Sequence, residues 1–429
     1  MRGTSFRIVL LLAGLVLMVS KTAFGQFALS AEVRPRAELR DGFKSVRQEG
    51  SSAAFFIEQR SRLNADYQKD KLRMRLSLQD VRIWGATNQV YKTDPSLFNV
   101  YEAYGEYLFT PQLSIRVGRQ ELNYDNARFL GNLDWAQQGR SHDAFRLMYA
   151  DSTGIAVHVG AAFNQNIALE PTKLEGTFYG GIDNYKIMQY VWLHKDIGTA
   201  KFSGLFFNDG RQRDSDSTVF FRQTYGILAE QNLGAVRLGG EFYFQGGKDP
   251  AGRTVRAYLA ALNATYVTKL TPLTLGVDYL SGSDAFDTHN KAFTPLYGTN
   301  HGFYGFMDYF YVGNNHGQGG QTAGLVDVYF KTNFKLSDKG SLLAHLHHFE
   351  SPSTVYALQE GNNKLPSRLG EEVDLMYNLN VSTDFNLKVG YSQLYATESM
   401  DALKGRSGKT FNQWAWLMLT FKPTLFKAM

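Results

Sequence analysis

The chain has 429 residues, of which 45 are lysine or arginine and 40 are aspartate or glutamate, so its formal net charge is +5. Cysteine is absent, which excludes a disulfide framework and any thiolate metal site. Glycine, tyrosine and phenylalanine are frequent (41, 24 and 31) and proline is scarce (10), a mixture typical of short strands, tight turns and aromatic belts.

The first 25 residues have the features of a secretory signal peptide. Two arginines, Arg2 and Arg7, precede a 13-residue apolar stretch (8–20), and Ala23-Phe24-Gly25 forms a small-x-small cleavage signal. The apolar stretch is shorter than the roughly 20 residues that a membrane-spanning helix needs, which disfavours a helical anchor. We therefore expect a signal peptide over 1–25 and a single exported domain over 26–429.

The overall positive charge arises mainly from this leader. Three of the 45 basic residues, Arg2, Arg7 and Lys21, lie in it, so 42 basic and 40 acidic residues remain and the net charge falls to +2. A charge this close to neutral favours no particular partner, and we expect no nucleic-acid partner.

Polar and apolar residues alternate along most of the exported chain. Between Leu29 and Leu39 the odd positions carry leucine, alanine, valine or proline, whereas the even positions carry serine, glutamate or arginine. The same alternation recurs over 55–67 and 72–79. A period of two is the repeat of a β-strand with one apolar and one polar face. A soluble β-sandwich would share this pattern.

The connections between the strands distinguish these two architectures, because eight short turns alternate with nine long polar loops. The turns lie at 68–71, 110–112, 150–153, 196–200, 231–235, 268–272, 337–340 and 382–386, and the loops at 40–54, 85–100, 121–143, 163–185, 208–222, 246–255, 281–323, 350–371 and 398–412. Bacterial outer-membrane barrels have an even strand number, short periplasmic turns and long external loops. We therefore predict an all-β fold, a transmembrane antiparallel up-and-down β-barrel of 18 strands in the cell outer membrane of a Gram-negative bacterium.

Charged residues indicate the lining of the barrel, since a charge on the lipid face would cost ~2–4 kcal/mol near the membrane midplane. This argument directs eight arginines of strands 1, 2, 3, 5 and 6 inward: Arg34, Arg36, Arg60, Arg62, Arg73, Arg75, Arg116 and Arg146. Seven acidic residues are expected to face the same space: Glu32, Glu38, Glu58, Asp66, Glu102, Glu106 and Asp143. The arginines either form a path for anions, because a guanidinium binds a carboxylate through two bonds, or pair with the acids and brace the wall.

Several distinctive segments follow one another along the chain: RLSLQDVRIWG (75–85), VGRQELNYDNARFLGNLDW (117–135), GRSHDAFRL (139–147), LYGTNHGFYGFMDYF (296–310), LGEEVDL (369–375) and WLMLTFKP (416–423). Taken together, these segments resemble the alginate export porins. The resemblance covers the whole barrel and implies 18 strands, a positive constricted pore and passage of an anionic polysaccharide. It does not extend to an export gate built from a periplasmic turn, because no turn here is long enough to plug the pore.

The alternation and the resemblance together give a set of candidate pore residues. They are Arg36, Arg60, Arg62, Arg73, Arg75, Arg116, Arg119, Arg140, Asp143 and Arg146. Arg119 has the parity of the apolar face of its strand, so either a bulge redirects it or it lies above the lipid band. Asp80 is placed to pair with a neighbouring arginine.

The loop over 281–323 is the longest and mixes glycine with many aromatic residues. Long loops without regular structure are usually functional or disordered. We expect this loop to fold over or into the mouth of the barrel and to narrow it. The alternative is an ordered outer cap.

Features that would indicate an enzyme or a metal centre are weak. His345, His347 and His348 could bind zinc, but polar groups of a lumen or interface are the more frequent role of such residues. Ser141-His142-Asp143 cannot form a catalytic triad, because adjacent residues of a strand point to opposite faces. We therefore predict no catalytic site, no cofactor and no metal.

Three functions remain as hypotheses. The first is an outer-membrane channel that selects anionic solutes, the second a general diffusion porin whose arginines brace the wall, and the third a barrel enzyme or adhesin. The partners expected for the first are outer-membrane lipid, an anionic polysaccharide or small anionic solute, and the barrel assembly machinery.

Overall fold

The computed structural model describes residues 25–86, 98–164, 185–213, 218–310, 316–358, 361–404 and 411–428. All but the last residue of the expected signal peptide lies outside these ranges. Most of the described residues belong to antiparallel strands. Within the described ranges, no helix has the length and apolar character required to cross a membrane.

The strands follow one another with few other elements between them. They are β1 (Gln26–Asp41), β2 (Ala54–Lys69), β3 (Leu72–Ile83), β4 (Phe98–Leu108), β5 (Leu113–Gln120), β6 (His142–Ala150), β7 (Ile155–Phe163), β8 (Ile187–Ile197), β9 (Ala200–Gln212), β10 (Val219–Leu233), β11 (Val236–Gly247), β12 (Ala257–Val267), β13 (Pro272–Leu280), β14 (Leu325–Lys335), β15 (Gly340–Glu350), β16 (Val355–Ala357), β17 (Asn363–Leu365), β18 (Arg368–Asn380), β19 (Phe385–Ala396), β20 (Phe411–Phe421) and β21 (Thr424–Ala428). A 3₁₀ turn covers Asn300–Gly302, and one short helix, α1, covers Glu398–Lys404.

These strands form a closed barrel of 18, as predicted. Each wall strand pairs with its neighbour in the chain, and β1 pairs with both β2 and the β20–β21 strand, so the wall has no free edge. β20 and β21 count as one wall strand interrupted after Phe421, whereas β16 and β17 pair only with each other. The eight turns at one end contain two to four residues each, which confirms the alternation of turns and loops.

The two faces of the wall differ in the way that the period of two predicts. On β6, Phe145 and Leu147 point outward and are exposed, whereas Ala144, Arg146 and Met148 point inward and are buried. An exposed apolar face outside a closed barrel is the surface that meets lipid. The inward face is buried because long loops fill the lumen.

Two of these loops account for much of the filling. The first inward loop (residues 121–141) connects β5 to β6, and the second inward loop (residues 281–324) connects β13 to β14. They run side by side in the lumen, where Gly131 donates a backbone hydrogen bond to Tyr297 at 2.8 Å and Thr299 donates one to Ala127 at 2.8 Å. The second loop therefore folds into the barrel, as its aromatic content predicts.

Aromatic rings on the lumen face lie over glycines of the adjacent strand. Four such pairs face each other in the register: Gly160 and Tyr190, Gly226 and Tyr243, Gly276 and Tyr329, and Gly390 and Trp416. A Cβ atom added to any of these glycines would lie 2.1–2.2 Å from a ring atom. Glycine opposite an aromatic residue thus makes room for the ring and fixes the register of the two strands.

We expect Gly226→Ala to destabilise the folded barrel by about 1–3 kcal/mol, as overpacking does in other cores. The Tyr243 ring would have to move, and it stacks on Phe129 of the first inward loop with ring centroids 5.7 Å apart. Urea unfolding in liposomes measures the loss. Gly204→Ala is the matched control, since no atom lies within 4 Å of its new Cβ. Equal losses of unfolding free energy in the two variants would show that the fit of the Tyr243 ring over Gly226 does not stabilise the barrel.

Candidate functional site

An arginine cluster formed by Arg34, Arg36, Arg60 and Arg62 lies on the lumen face of β1 and β2. Arg34 and Arg60 are directly opposite each other in the register. None of the four is more than 9% exposed. Four guanidinium groups so close together and so well covered require acceptors, because burial of an unpaired charge is costly.

The acceptors come from the wall and from the first inward loop. Arg60 donates to the carboxylates of Glu32 and Asp134, the latter at 2.9 Å. Arg36 donates to the Trp135 carbonyl at 2.8 Å and lies over the Trp135 ring at 4.4 Å. The loop is thus fastened to the arginine cluster through Asp134 and the backbone that follows it.

An acidic wall that was not predicted from the sequence lies on other strands of the barrel. It consists of inward-facing carboxylates on β9, β11, β13, β14 and β18, all buried: Asp209, Glu241, Asp278, Asp327, Glu372 and Asp374. Each lies at the inward parity of its strand, so alternation could have found these residues one at a time.

Arg128 of the first inward loop reaches the acidic wall. Its guanidinium donates to both oxygens of Asp278 at 2.7 and 3.2 Å and to Glu241 at 2.6 Å. Burial alone would lower the pKa of Arg128, but these two carboxylates raise it well above its ordinary value. The loop therefore crosses the lumen with a basic residue on the acidic wall and an acidic residue, Asp134, on the arginine cluster.

The second inward loop is also held by charged groups. Its Met307 amide donates to Glu372 at 2.8 Å, and Lys404 of α1 donates to the Tyr309 carbonyl at 2.6 Å. His301 stacks on Trp135 of the first loop with ring centroids 4.2 Å apart. The two loops and both walls form one connected unit inside the barrel.

Three further predicted residues, Arg73, Arg75 and Arg116, line a vestibule near the short turns. Each faces the lumen and is paired: Arg73 and Arg116 with Glu106, Arg75 with Asp66 and Glu102. Their side chains remain 46%, 30% and 22% exposed. A cavity of about 220 Å³ opens beside Arg73 and Arg116. By the usual orientation of such barrels, this vestibule opens to the periplasm.

Arg146 and Arg140 occupy different positions from the arginine cluster. Arg146 faces the lumen from β6 and donates to the Tyr124 hydroxyl at 3.3 Å; it has no carboxylate within 4 Å in the part of the chain that the structure describes. Arg140 belongs to the first inward loop and donates to the Gly298 carbonyl at 3.0 Å. Arg140 therefore links the two loops.

Arg119 and Asp143 do not line the lumen, and this part of the prediction is wrong. They face each other across β5 and β6 and pair at 3.0 Å on the outer surface, where they share parity with the exposed Val117 and Phe145. The β5–β6 register is regular up to Gln120, so no bulge redirects Arg119. Both lie at the loop ends of their strands, where a charge on the outer surface costs little.

A second ion pair has the same arrangement. Asp80 accepts from Arg82 at 2.6 Å on β3, at the outward parity of Leu76 and Leu78. The predicted pairing of Asp80 with a neighbouring arginine is therefore confirmed. Both pairs lie on the outer surface of the barrel, so their arginines are suitable controls for substitutions of the lumen arginines.

The barrel is similar to solved outer-membrane porins of Pseudomonas aeruginosa. OccK9 (OpdG) matches with a TM-score of 0.61 and 12% identity over 93% of this chain and 98% of that one. OccK10 (OpdN) matches with a TM-score of 0.60 and 11% identity over 93% of this chain and 99% of that one. The outer membrane protein OpdK matches with a TM-score of 0.59 and 10% identity over 93% of this chain and 98% of that one. At these identities the likeness extends to the fold alone.

The sequence itself matches the alginate export family over residues 26–413. A comparison with curated proteins found no match. The family match and the porin-like barrel together indicate a channel in the outer membrane and not an enzyme. The chain therefore belongs to the alginate export family of outer-membrane channels.

Proposed function

We propose that this channel passes anionic solutes, with an anionic polysaccharide of the polyuronate type as the preferred substrate class. The observation that carries the proposal is the unequal exposure of charges in the vestibule. Arg73, Arg75 and Arg116 keep between 22% and 46% of their side chains exposed, whereas their partners Glu102 and Glu106 are 8% and 6% exposed. Among these partners only Asp66, at 45%, is comparably exposed.

This arrangement presents arginine to the solute and keeps most of the carboxylate charge behind it. A guanidinium has five N–H donors in a planar fork, so an arginine that is paired along one edge still has donors for a second carboxylate. On the opposite side of the lumen, Arg128 pairs with Glu241 and Asp278 of the acidic wall, so these two buried carboxylates are not presented to the solute.

A second candidate function is a general diffusion porin whose arginines only brace the wall. The arginine cluster favours it, because Arg34, Arg36 and Arg60 are buried and use their donors on wall carboxylates and on the first inward loop. The two candidates therefore differ in whether arginines determine the ion selectivity of the channel. In the first the vestibule arginines determine it, and in the second no arginine does.

Reversal potentials in planar bilayers under a KCl gradient test the proposal. We expect the intact channel to prefer chloride, and Arg73→Gln, Arg75→Gln and Arg116→Gln combined to lower the chloride-to-potassium permeability ratio several-fold, more at low salt because screening is weaker there. Arg82→Gln and Arg119→Gln, on the outer surface, are the matched controls. Their ratio should equal that of the intact channel.

Oligomers of uronic acid, compared with neutral oligomers of the same length, test the substrate class. We expect only the charged oligomers to interrupt the current, and the triple vestibule variant to shorten the interruptions. Preference for potassium in the intact channel, or an unchanged ratio in the triple variant, would favour the bracing function instead. A gel shift between heated and unheated samples confirms that each variant is folded.

A further inference from the structure

Two histidines and two carboxylates form a square on the lumen face of β15 and β18. His345 lies opposite Asp374 in the register, and His347 lies opposite Glu372. All four are more than nine-tenths buried. Directly opposed residues on one face of a sheet have Cβ atoms about 4.5–5.5 Å apart, so strand pairing itself brings the side chains together. One ligand atom from each of His345, His347 and Asp374 lies within 4.8 Å of the other two.

Three polar atoms of the square lack a hydrogen-bond partner in the part of the chain that the structure describes. Nε2 of His347, Nδ1 of His345 and Oε2 of Glu372 are buried, and none has a hydrogen-bond partner among the described residues. Buried polar atoms are almost always paired, and each exception calls for an explanation such as an unseen ion or water. Three such atoms on four adjacent residues indicate a shared ligand.

The surrounding residues orient the square toward such a ligand. Both oxygens of Asp327 lie 2.9 Å from Nδ1 of His347, which leaves Nε2 directed toward Asp374 at 3.8 Å. Asp374 accepts from the Ser392 hydroxyl through its other oxygen, at 2.5 Å. A histidine that binds a metal through one nitrogen usually donates its other N–H to a carboxylate in this way.

The charge of the site also favours the binding of a cation. Asp327, Glu372 and Asp374 are three buried carboxylates, and none forms an ion pair with lysine or arginine within the ranges that the structure describes. Within 4 Å, His347 is the cationic group that the structure places beside them, and the Lys331 ammonium interacts with Asp327 and Asp374 from farther away. Buried carboxylates are normally paired or coordinate a metal, and a doubly charged ion would supply the missing positive charge.

We propose that His345, His347 and Asp374 bind one divalent transition-metal ion, with Glu372 as the fourth ligand and Asp327 orienting His347. Two imidazoles with carboxylates suit Zn²⁺ in a tetrahedral site. Zinc bonds of about 2.0–2.2 Å place neighbouring ligand atoms about 3.4 Å apart, so the 3.8 Å between His347 and Asp374 closes with a small side-chain rotation. This proposal differs from the sequence-based expectation of no metal.

The ion would also fix the second inward loop. The Phe306 amide donates to Asp374 at 3.3 Å, and the Phe306 ring lies 5.1 Å from the His345 ring. The Met307 amide donates to the other wall carboxylate, Glu372. The site therefore lies under the loop, so that metal loading joins β15, β18 and the loop in one unit.

The proposal is tested by titration with Zn²⁺ in detergent. The sample is the folded channel, free of tags and treated with a chelator. We expect one ion per chain by calorimetry and by metal analysis, and Co²⁺ in its place should give the visible absorption of a tetrahedral site. His345→Gln with His347→Gln should abolish stoichiometric binding, and Asp327→Asn should weaken it about 10–100-fold. His348→Gln is the matched control, because His348 lies on the same strand but faces outward and pairs with Glu371.

Three outcomes would overturn the proposal. They are the absence of saturable one-to-one binding by the intact channel, undiminished binding by the double histidine variant, and an equal loss in His348→Gln. The shift between heated and unheated samples on a gel shows whether each variant is folded, so that lost binding is not confused with lost structure. None of these outcomes depends on which solute the channel passes.

Discussion

A channel that lacks residues 284–321 should conduct several-fold more current than the intact channel. The second inward loop places large side chains in the lumen, among them Met307, Tyr309 and Phe310, each at most 4% exposed. Removing them opens the space between the arginine cluster and the acidic wall, and the conductance of a pore rises with its open cross-section. Single-channel recordings in planar bilayers measure the change.

The excision can be closed without strain on the barrel. The Ser283 amide donates to the Thr322 carbonyl at 2.9 Å, so the two ends are already adjacent and a two-residue Gly-containing turn can join them. The matched control replaces the exposed Thr288 and His289 with glycines and leaves the buried part in place. We expect the control to conduct as the intact channel does. Equal conductance of the excised and intact channels would show that the loop caps the barrel without narrowing it.

Arg128→Met should release the first inward loop from the acidic wall. The substitution leaves Glu241 and Asp278 buried without a cation, and removing one partner of a buried ion pair costs about 3–5 kcal/mol. The wall strands keep all their backbone hydrogen bonds, so the barrel should stay closed. The cost should therefore appear as opening of the loop, measured as faster proteolysis within residues 121–141 and as noisier open-channel current.

A charge-balanced variant shows whether the loop opens because the Arg128 ion pairs are lost or because two unpaired carboxylates remain buried. Combining Arg128→Met with Glu241→Gln and Asp278→Asn removes the unpaired carboxylates, so we expect most of the protease resistance to return. Arg82→Met, on the outer surface, controls for the loss of an arginine in general. Unchanged proteolysis in Arg128→Met would show that apolar packing alone holds the loop.

The wall of the barrel could be predicted because its signals are local. Alternation within each strand and the lengths of turns and loops determine the strand count, and both can be read from neighbouring residues. The arginine cluster was found for the same reason, since Arg34 and Arg36, or Arg60 and Arg62, are two positions apart in one strand. Arg119 was misplaced because family resemblance was preferred to parity, and Asp143 because its charge alone was taken to direct it inward.

The interior could not be predicted in the same way, because its contacts join distant parts of the chain. The bond from Arg34 to Asp134 spans 100 residues, and that from Arg128 to Asp278 spans 150. The acidic wall contributes about one residue per strand, at Asp209, Glu241 and Asp278, and therefore forms no cluster in the sequence. Only closure of the barrel brings these residues together and shows which arginines are covered.

The opposite charges of the first inward loop have a consequence for how the lumen is filled during folding. Apolar packing is non-directional, so rings alone would allow the loop to settle in more than one orientation. With Arg128 and Asp134 six positions apart and each matched to the opposite wall charge, the reversed orientation sets arginine against arginine and carboxylate against carboxylate. Like-charge contacts of this kind penalise wrong pairings strongly. The charges of Arg128 and Asp134 thus favour a single orientation of the first inward loop as it packs into the lumen.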